Sequence, residues 1–221
     1  MYALGRWAYP GLRRHLLLST VAVPLWWWFE LVNERIRNWE YISAYDYNRI
    51  EYFLFASLAF STVAPAIDAA SRLTQRGPLS SSAPGSAFGP RGYVGETGVG
   101  VMLILLTFAV PNVFFPLTWV GPFLVCDGLV GYRGGRSLVS DLWRGEWRLA
   151  AAIGTAGLLC GFLWEFWNFW ASPKWVYEVP FFDFLDVFEM PVLGYGGYIP
   201  FAWSVYQLVR IGSLRRLTPT D

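Results

Sequence analysis

Apolar residues in this chain come in long runs, not in the short alternations of a soluble fold. The runs cover about 15–33, 50–69, 97–112, 116–132, 148–170 and 187–210, and a bilayer-crossing helix needs roughly 20 such residues. Between Thr97 and Tyr132 the only charge is Asp127. A single helix over that stretch would be about 50 Å long against a hydrocarbon core of ~30 Å. The spacing therefore predicts a break at Pro111-Asn112 and Pro116. The result is an all-α integral membrane protein of about six transmembrane helices in one domain, 1–221. Its three hairpins are 15–69, 97–132 and 148–210, and residues 71–95, with Leu79-Ser80-Ser81-Ser82-Ala83-Pro84-Gly85-Ser86, form a flexible cytoplasmic linker.

The first and third hairpins are copies of one another. Arg13 and Arg148, Glu30 and Glu165, Asn33 and Asn168, Glu51 and Asp186, Leu58 and Leu193, and Pro65 and Pro200 are each separated by 135 residues. With a slip of one residue, Trp39-Glu40-Tyr41 also matches Trp175-Val176-Tyr177. In this arrangement the two copies run parallel, related by an axis along the membrane normal.

Charge orients the hairpins, because cytoplasmic loops are enriched in Lys and Arg. Three hairpins put Arg6, Arg13, Arg14, Arg72, Arg76, Arg91, Arg133, Arg136, Arg144, Arg148, Arg210, Arg215 and Arg216 on one side, 13 of the 17 basic residues. Both termini are then cytoplasmic, in a bacterial inner membrane. The acids Glu30, Glu34, Glu40, Asp46, Glu51, Glu165, Glu178, Asp183, Asp186 and Glu189 fall toward the other face. Glu30 and Glu165 each lie 17 residues from their basic anchor, about 25 Å along a helix. Both carboxylates are thus expected inside the outer leaflet, where an ionisable group is a functional-site candidate.

Composition agrees with this class and excludes others. The chain is 55% apolar, 19% aromatic and 15% charged, with a net charge of +1, which gives no footprint for nucleic acid. Cys126 and Cys160 sit in apolar runs as packing residues, and His15 is the only histidine, so metal and haem chemistry have little to build on. No cofactor is expected. The run after Arg13-Arg14 has no small-residue cleavage site and reads as a retained helix. Asp127, beside Gly121, Pro122 and Gly128, reads as a structural hydrogen-bonder at a kink, and Arg133-Gly134-Gly135-Arg136 as a basic turn.

Residues three apart share a helix face, so Asn33 and Asn168 are placed to bond Glu30 and Glu165 or to hold a ligand beside them. Trp39, Trp164, Trp167, Trp175 and Tyr177 complete the candidate binding set, as cavity walls or as an interfacial belt. Acids in an apolar, aromatic cavity suit proton-initiated rearrangement of a polyene. A protonated carboxyl donates to a double bond, π faces stabilise the cation, and a second carboxylate removes a proton. The candidate catalytic acids are Glu30, Glu165, Asp186, Glu189 and Glu51.

At these residues the chain resembles the membrane lycopene-cyclase-domain family. The shared pattern is an acid after an aromatic (Phe29-Glu30, Trp164-Glu165), then Trp-x-Tyr in the outer loop, then acids near Phe and Pro. The last element is Ile50-Glu51-Tyr52-Phe53 in one copy and Leu185-Asp186-Val187-Phe188-Glu189-Met190-Pro191 in the other. The family carries adjacent acids, Pro-x-Glu-Glu, where this chain has single or staggered ones. The resemblance implies cofactor-free carotenoid or isoprenoid cyclisation or isomerisation. Two alternatives stand beside it. One is a non-catalytic subunit binding lipid, pigment, a larger membrane complex or a second copy of itself; the other is a small transporter.

Overall fold

The computed structural model describes residues 11–43, 47–75, 86–181 and 184–214. The expectations for Arg6, Asp46, Arg76, Asp183, Arg215, Arg216 and linker residues 76–85 lie outside these. The described chain is mostly helical, at 74%, and contains four helices long and apolar enough to cross a membrane. These are α1 (Leu12–Ile36), the consecutive pair α2 (Arg49–Phe60) and α3 (Val63–Thr74), α4 (Pro90–Ala109) and, further on, α8 (Arg148–Phe169). Between α4 and α8 lie α5 (Pro111–Phe114), α6 (Leu117–Tyr132) and α7 (Leu138–Trp143). After α8 come the strand β2 (Lys174–Tyr177), the hairpin β3 (Asp186–Val187) and β4 (Met190–Pro191), a 3-10 turn at Val192–Gly197, and α9 (Tyr198–Leu214). β1 (Trp39–Ile42) follows α1.

The proline break falls where the spacing placed it, between Ala109 and Leu117. α6 then folds back along α4 at very short range. A Cβ on Gly128 would meet Thr97 and the Tyr93 carbonyl, one on Gly131 the Tyr93 ring, and one on Gly100 the Gly121 carbonyl and Val125. Small residues are the usual means of such close helix contact in lipid. α8 and α9 use the same device at Gly157, whose absent Cβ leaves room for the Tyr198 carbonyl and Ala202.

Two boundaries differ from the sequence reading. The sixth helix, expected over 187–210, begins only at Tyr198. Pro191 offers no backbone N–H and Gly194, Gly196 and Gly197 disfavour regular helix, so the apolar stretch before Tyr198 becomes the β3–β4 hairpin and a 3-10 turn. The linker expected over 71–95 is shorter, because α3 runs to Thr74 and α4 starts at Pro90, the position where proline opens a helix without losing a bond.

At one end of the bundle the polar groups are tied together. Asp68 of α3 pairs with Arg14 at 2.5 Å and with Arg72 at 3.0 Å. Asp127 of α6 is buried and accepts from the Ser137 hydroxyl at 2.5 Å, from the backbone N–H groups of Leu138 at 2.7 Å and Val139 at 3.2 Å, and from the Gln207 amide. It therefore fixes the start of α7 and the flank of α9, the structural role that its isolation in the sequence suggested.

Candidate functional site

The site begins where α1 and α8 end. Arg37 closes α1 in a left-handed conformation, with its N–H on the Asn33 carbonyl, and the chain turns directly into β1. Asn33 brackets that turn: its Nδ2 donates to the Trp39 carbonyl at 2.7 Å, and its Oδ1 accepts from the N–H groups of Asn38 at 2.9 Å and Trp39 at 3.3 Å. Asn168 brackets Trp175 in the same way, with 2.7 Å from its Nδ2 to the Trp175 carbonyl and 2.9 Å from the Trp175 N–H to its Oδ1. The bonds expected between each amide and its own glutamate are replaced by this clamp. A fixed carboxamide satisfies a donor and an acceptor of the turning backbone at once, which no apolar residue can do.

The clamp delivers two side chains to each glutamate. Glu30 Oε1 accepts from the Trp39 indole at 3.3 Å and the Tyr41 hydroxyl at 2.6 Å. Glu165 Oε1 accepts from Trp175 at 3.4 Å and Tyr177 at 2.7 Å. The Trp-x-Tyr spacing thus has a physical reason: residues two apart on a strand face the same side, so one carboxylate oxygen can collect both.

A third donor reaches each glutamate from a different place. Trp26, one turn earlier on α1, donates to Glu30 at 2.9 Å, whereas Tyr198, the first residue of α9, donates to Glu165 at 2.5 Å. At the 135-residue offset Trp26 corresponds to Gly161, and Tyr198 to Val63. The large donor and the small residue have exchanged helices, and the Tyr198 ring occupies the space that a side chain on Gly161 would fill. This exchange was readable from the repeat but carries no conserved letter to draw attention to it.

The two copies then meet. β1 and β2 pair antiparallel with Trp39 opposite Tyr177, Glu40 opposite Val176 and Tyr41 opposite Trp175, a register symmetric about its middle pair. Beneath the sheet lies one cavity of about 430 Å³, within the range of small-molecule sites. The donors to both glutamates, Trp26, Trp39, Tyr41, Trp175, Tyr177 and Tyr198, all line it, together with Trp119, Trp164, Phe60 and Phe201. Glu165 itself is completely buried and Glu30 half-buried, each standing behind its ring of donors.

The cavity extends to the outside of the bundle at α2. Phe55 lines it and is also 58% exposed, and its neighbours Ile50, Phe53, Leu54 and Leu58 are exposed as well. An apolar, uncovered helix face of this kind is suited to hydrocarbon.

The remaining sequence candidates have other surroundings. Glu51 forms a capping box with Asn48 at the start of α2. Asp186 is exposed in β3 opposite Pro191, and Glu189 pairs with Lys174. Trp167 is 59% exposed on the outer face of α8. Sequence reasoning missed Glu96, whose buried carboxyl oxygens have no hydrogen-bond donor and lie against Asp127, and Asn38, on the cavity wall. Among the described residues no cluster of His, Cys, Asp and Glu is arranged to hold a metal ion.

Burial is the main cause that pushes Tyr41 well above the ordinary tyrosine value of 10.0, with the Glu30 carboxylate next. Burial does the same for Tyr177, followed by Tyr198 and Glu165. Both hydroxyls therefore remain donors at any physiological pH. Because folding raises these values, their contribution to stability is complete below pH 10.0 and is lost as the pH rises above it. In an alkaline titration followed by tyrosinate absorbance, Tyr41→Phe and Tyr177→Phe should each remove signal from the latest, unfolding-linked phase. Loss from the early phase would contradict the geometry.

Compared with family models, curated proteins and solved structures, the chain matches none.

Proposed function

We propose that this is a cofactor-free integral membrane enzyme that takes the end of a carotenoid or other isoprenoid into the shared cavity and cyclises or isomerises it by proton transfer. The observation that carries this reading is the convergence of two glutamate-bound tyrosine sets on one aromatic cavity. The lipid-facing opening beside Phe55 supplies a route for a ligand dissolved in the bilayer. In the reaction, a glutamic acid passes its proton through a tyrosine hydroxyl to a carbon–carbon double bond. The resulting cation lies against indole faces, which attract positive charge, and the dry wall keeps water from quenching it. The cation then loses a different proton, which returns through the tyrosine hydroxyl to the carboxylate left behind, so the enzyme is regenerated and the product is an isomer of the substrate.

We also propose the finer arrangement that goes with it: six spans in three hairpins, both termini cytoplasmic in a bacterial inner membrane, and the paired Trp-x-Tyr strands on the opposite side. The symmetric β1–β2 register supports parallel copies, and the Arg14–Asp68–Arg72 cluster lies at the end of α1 remote from them.

One observation favours a second reading. Each glutamate sits behind its donors, and an oxygen occupied by three N–H and O–H groups is well suited to holding a wall in place. A non-catalytic protein that binds a pigment or lipid has the same needs. The two readings separate in bacterial hosts accumulating acyclic carotenoids, one a hydrocarbon (lycopene) and one bearing a terminal hydroxyl. The enzyme reading predicts a new isomer with the wild type and none with Glu165→Gln or Glu30→Gln at equal membrane levels. Unchanged pigment profiles, with pigment co-purifying with the protein, favour the binding reading.

A further inference from the structure

From the cavity wall we infer the chemical class of the ligand: an isoprenoid that carries a hydroxyl group, recognised by Asn38. The inference deepens the proposed function and rests on its cavity. Several polar groups on that wall are already engaged. The hydroxyls of Tyr41, Tyr177 and Tyr198 bond the glutamates, and Thr62 donates to the Ala59 carbonyl. Asn38 stands out among the lining residues: it is 7% exposed, and its side-chain oxygen is buried with no hydrogen-bond partner.

A buried polar atom left without a partner is unfavourable, and the backbone here leaves the side chain little freedom to find one. The Asn38 N–H is held by Asn33 at 2.9 Å and its carbonyl accepts from the Glu178 N–H at 2.9 Å. The residue's backbone is thus held at the edge of the β1–β2 sheet, on the cavity wall. A ligand hydroxyl both donates and accepts, so it suits a carboxamide in either orientation. A pure hydrocarbon leaves the orphan unsatisfied.

Asn38 also gives the ligand a direction. With the one-residue slip, the matching position in the second copy is Lys174, which is turned to Glu189. The two Trp-x-Tyr pairs on the wall match, but among the described lining residues Asn38 is the one carboxamide, so a hydroxylated end is expected to seat against the first copy.

The cavity tryptophans allow a direct test in detergent-solubilised protein, because retinol, an isoprenoid alcohol, quenches indole fluorescence by energy transfer. Titrations of retinol and of its deoxy hydrocarbon are compared in wild type, Asn38→Leu and Asn38→Ala, with circular dichroism as a check on folding. The ratio of alcohol to hydrocarbon affinity should fall about tenfold on substitution, the worth of one buried hydrogen bond; comparing ratios cancels partitioning into the micelle. A ratio unchanged in the folded variants, with both ligands still binding, overturns this inference and leaves the isoprenoid cavity standing. No quenching of the wild type by either ligand overturns both.

Discussion

Glu165→Leu should be among the most damaging single substitutions in the protein, lowering stability by about 3–5 kcal/mol. The carboxylate is fully buried, and leucine removes the acceptor for Trp175, Tyr177 and Tyr198 together. Each donor left buried and unpaired costs about 1–3 kcal/mol, partly relieved by rearrangement of the rings. Glu165→Gln keeps one oxygen acceptor and should lose no more than about half as much, so the pair separates hydrogen bonding from volume. Glu30→Leu should be milder than Glu165→Leu, because Glu30 is only half-buried. Thermal unfolding in detergent, followed by circular dichroism, ranks the three. An indistinguishable Glu165→Leu melt would remove the glutamate from the structural centre of the second copy.

The contrast between the glutamates and the other repeated acids shows what a sequence offset can and cannot transmit. Glu30 and Glu165 lie deep in long regular helices, where 1.5 Å of rise per residue fixes depth and 3.6 residues per turn fix the face. Their equivalence, and that of Asn33 with Asn168, was therefore legible before any coordinates. Glu51 and Asp186 share the same offset but stand just after the loop that follows each helix, where local backbone decides the role. Asn48 precedes one and makes it a helix cap; the hairpin turn at Phe188-Glu189 follows the other.

The late start of α9 has a related cause. Hydropathy is blind to the difference between a helix and a tight hairpin of apolar residues, and Pro191 with its glycines settles it sterically. The role of the asparagines was hidden for another reason. Three-residue spacing puts Asn33 beside Glu30, but nothing in that spacing shows that the helix ends three residues after Asn33 and that its own turning backbone competes for the amide. The pairing of the two Trp-x-Tyr strands, and with it the common cavity, depends on how the helices are ordered in the bundle, which no local spacing encodes.

The exchanged third donor turns the repeat into a quantitative test. In the first copy Trp26 lines the cavity from the first helix, with Val63 at the position equivalent to Tyr198; in the second, Tyr198 fills the space above Gly161 from the last helix. A Cβ on Gly161 would stand 2.2 Å from the nearest Tyr198 ring atom. Gly161→Trp should therefore drive Tyr198 off Glu165 and cost at least about 2–4 kcal/mol by overpacking. Tyr198→Val should cost a similar amount through the void above Gly161 and the lost hydrogen bond. The double substitution imports the first copy's solution: the new indole sits one turn before Glu165, as Trp26 sits before Glu30, and the valine clears its path. Its loss should be smaller than the sum of the single losses by about 2 kcal/mol, well outside the range of additivity for independent sites. Four thermal melts, of the wild type, the two single variants and the double variant, measure that coupling. Additive losses would mean that the two corners are not interchangeable and that the likeness of the copies stops at the Trp-x-Tyr strands.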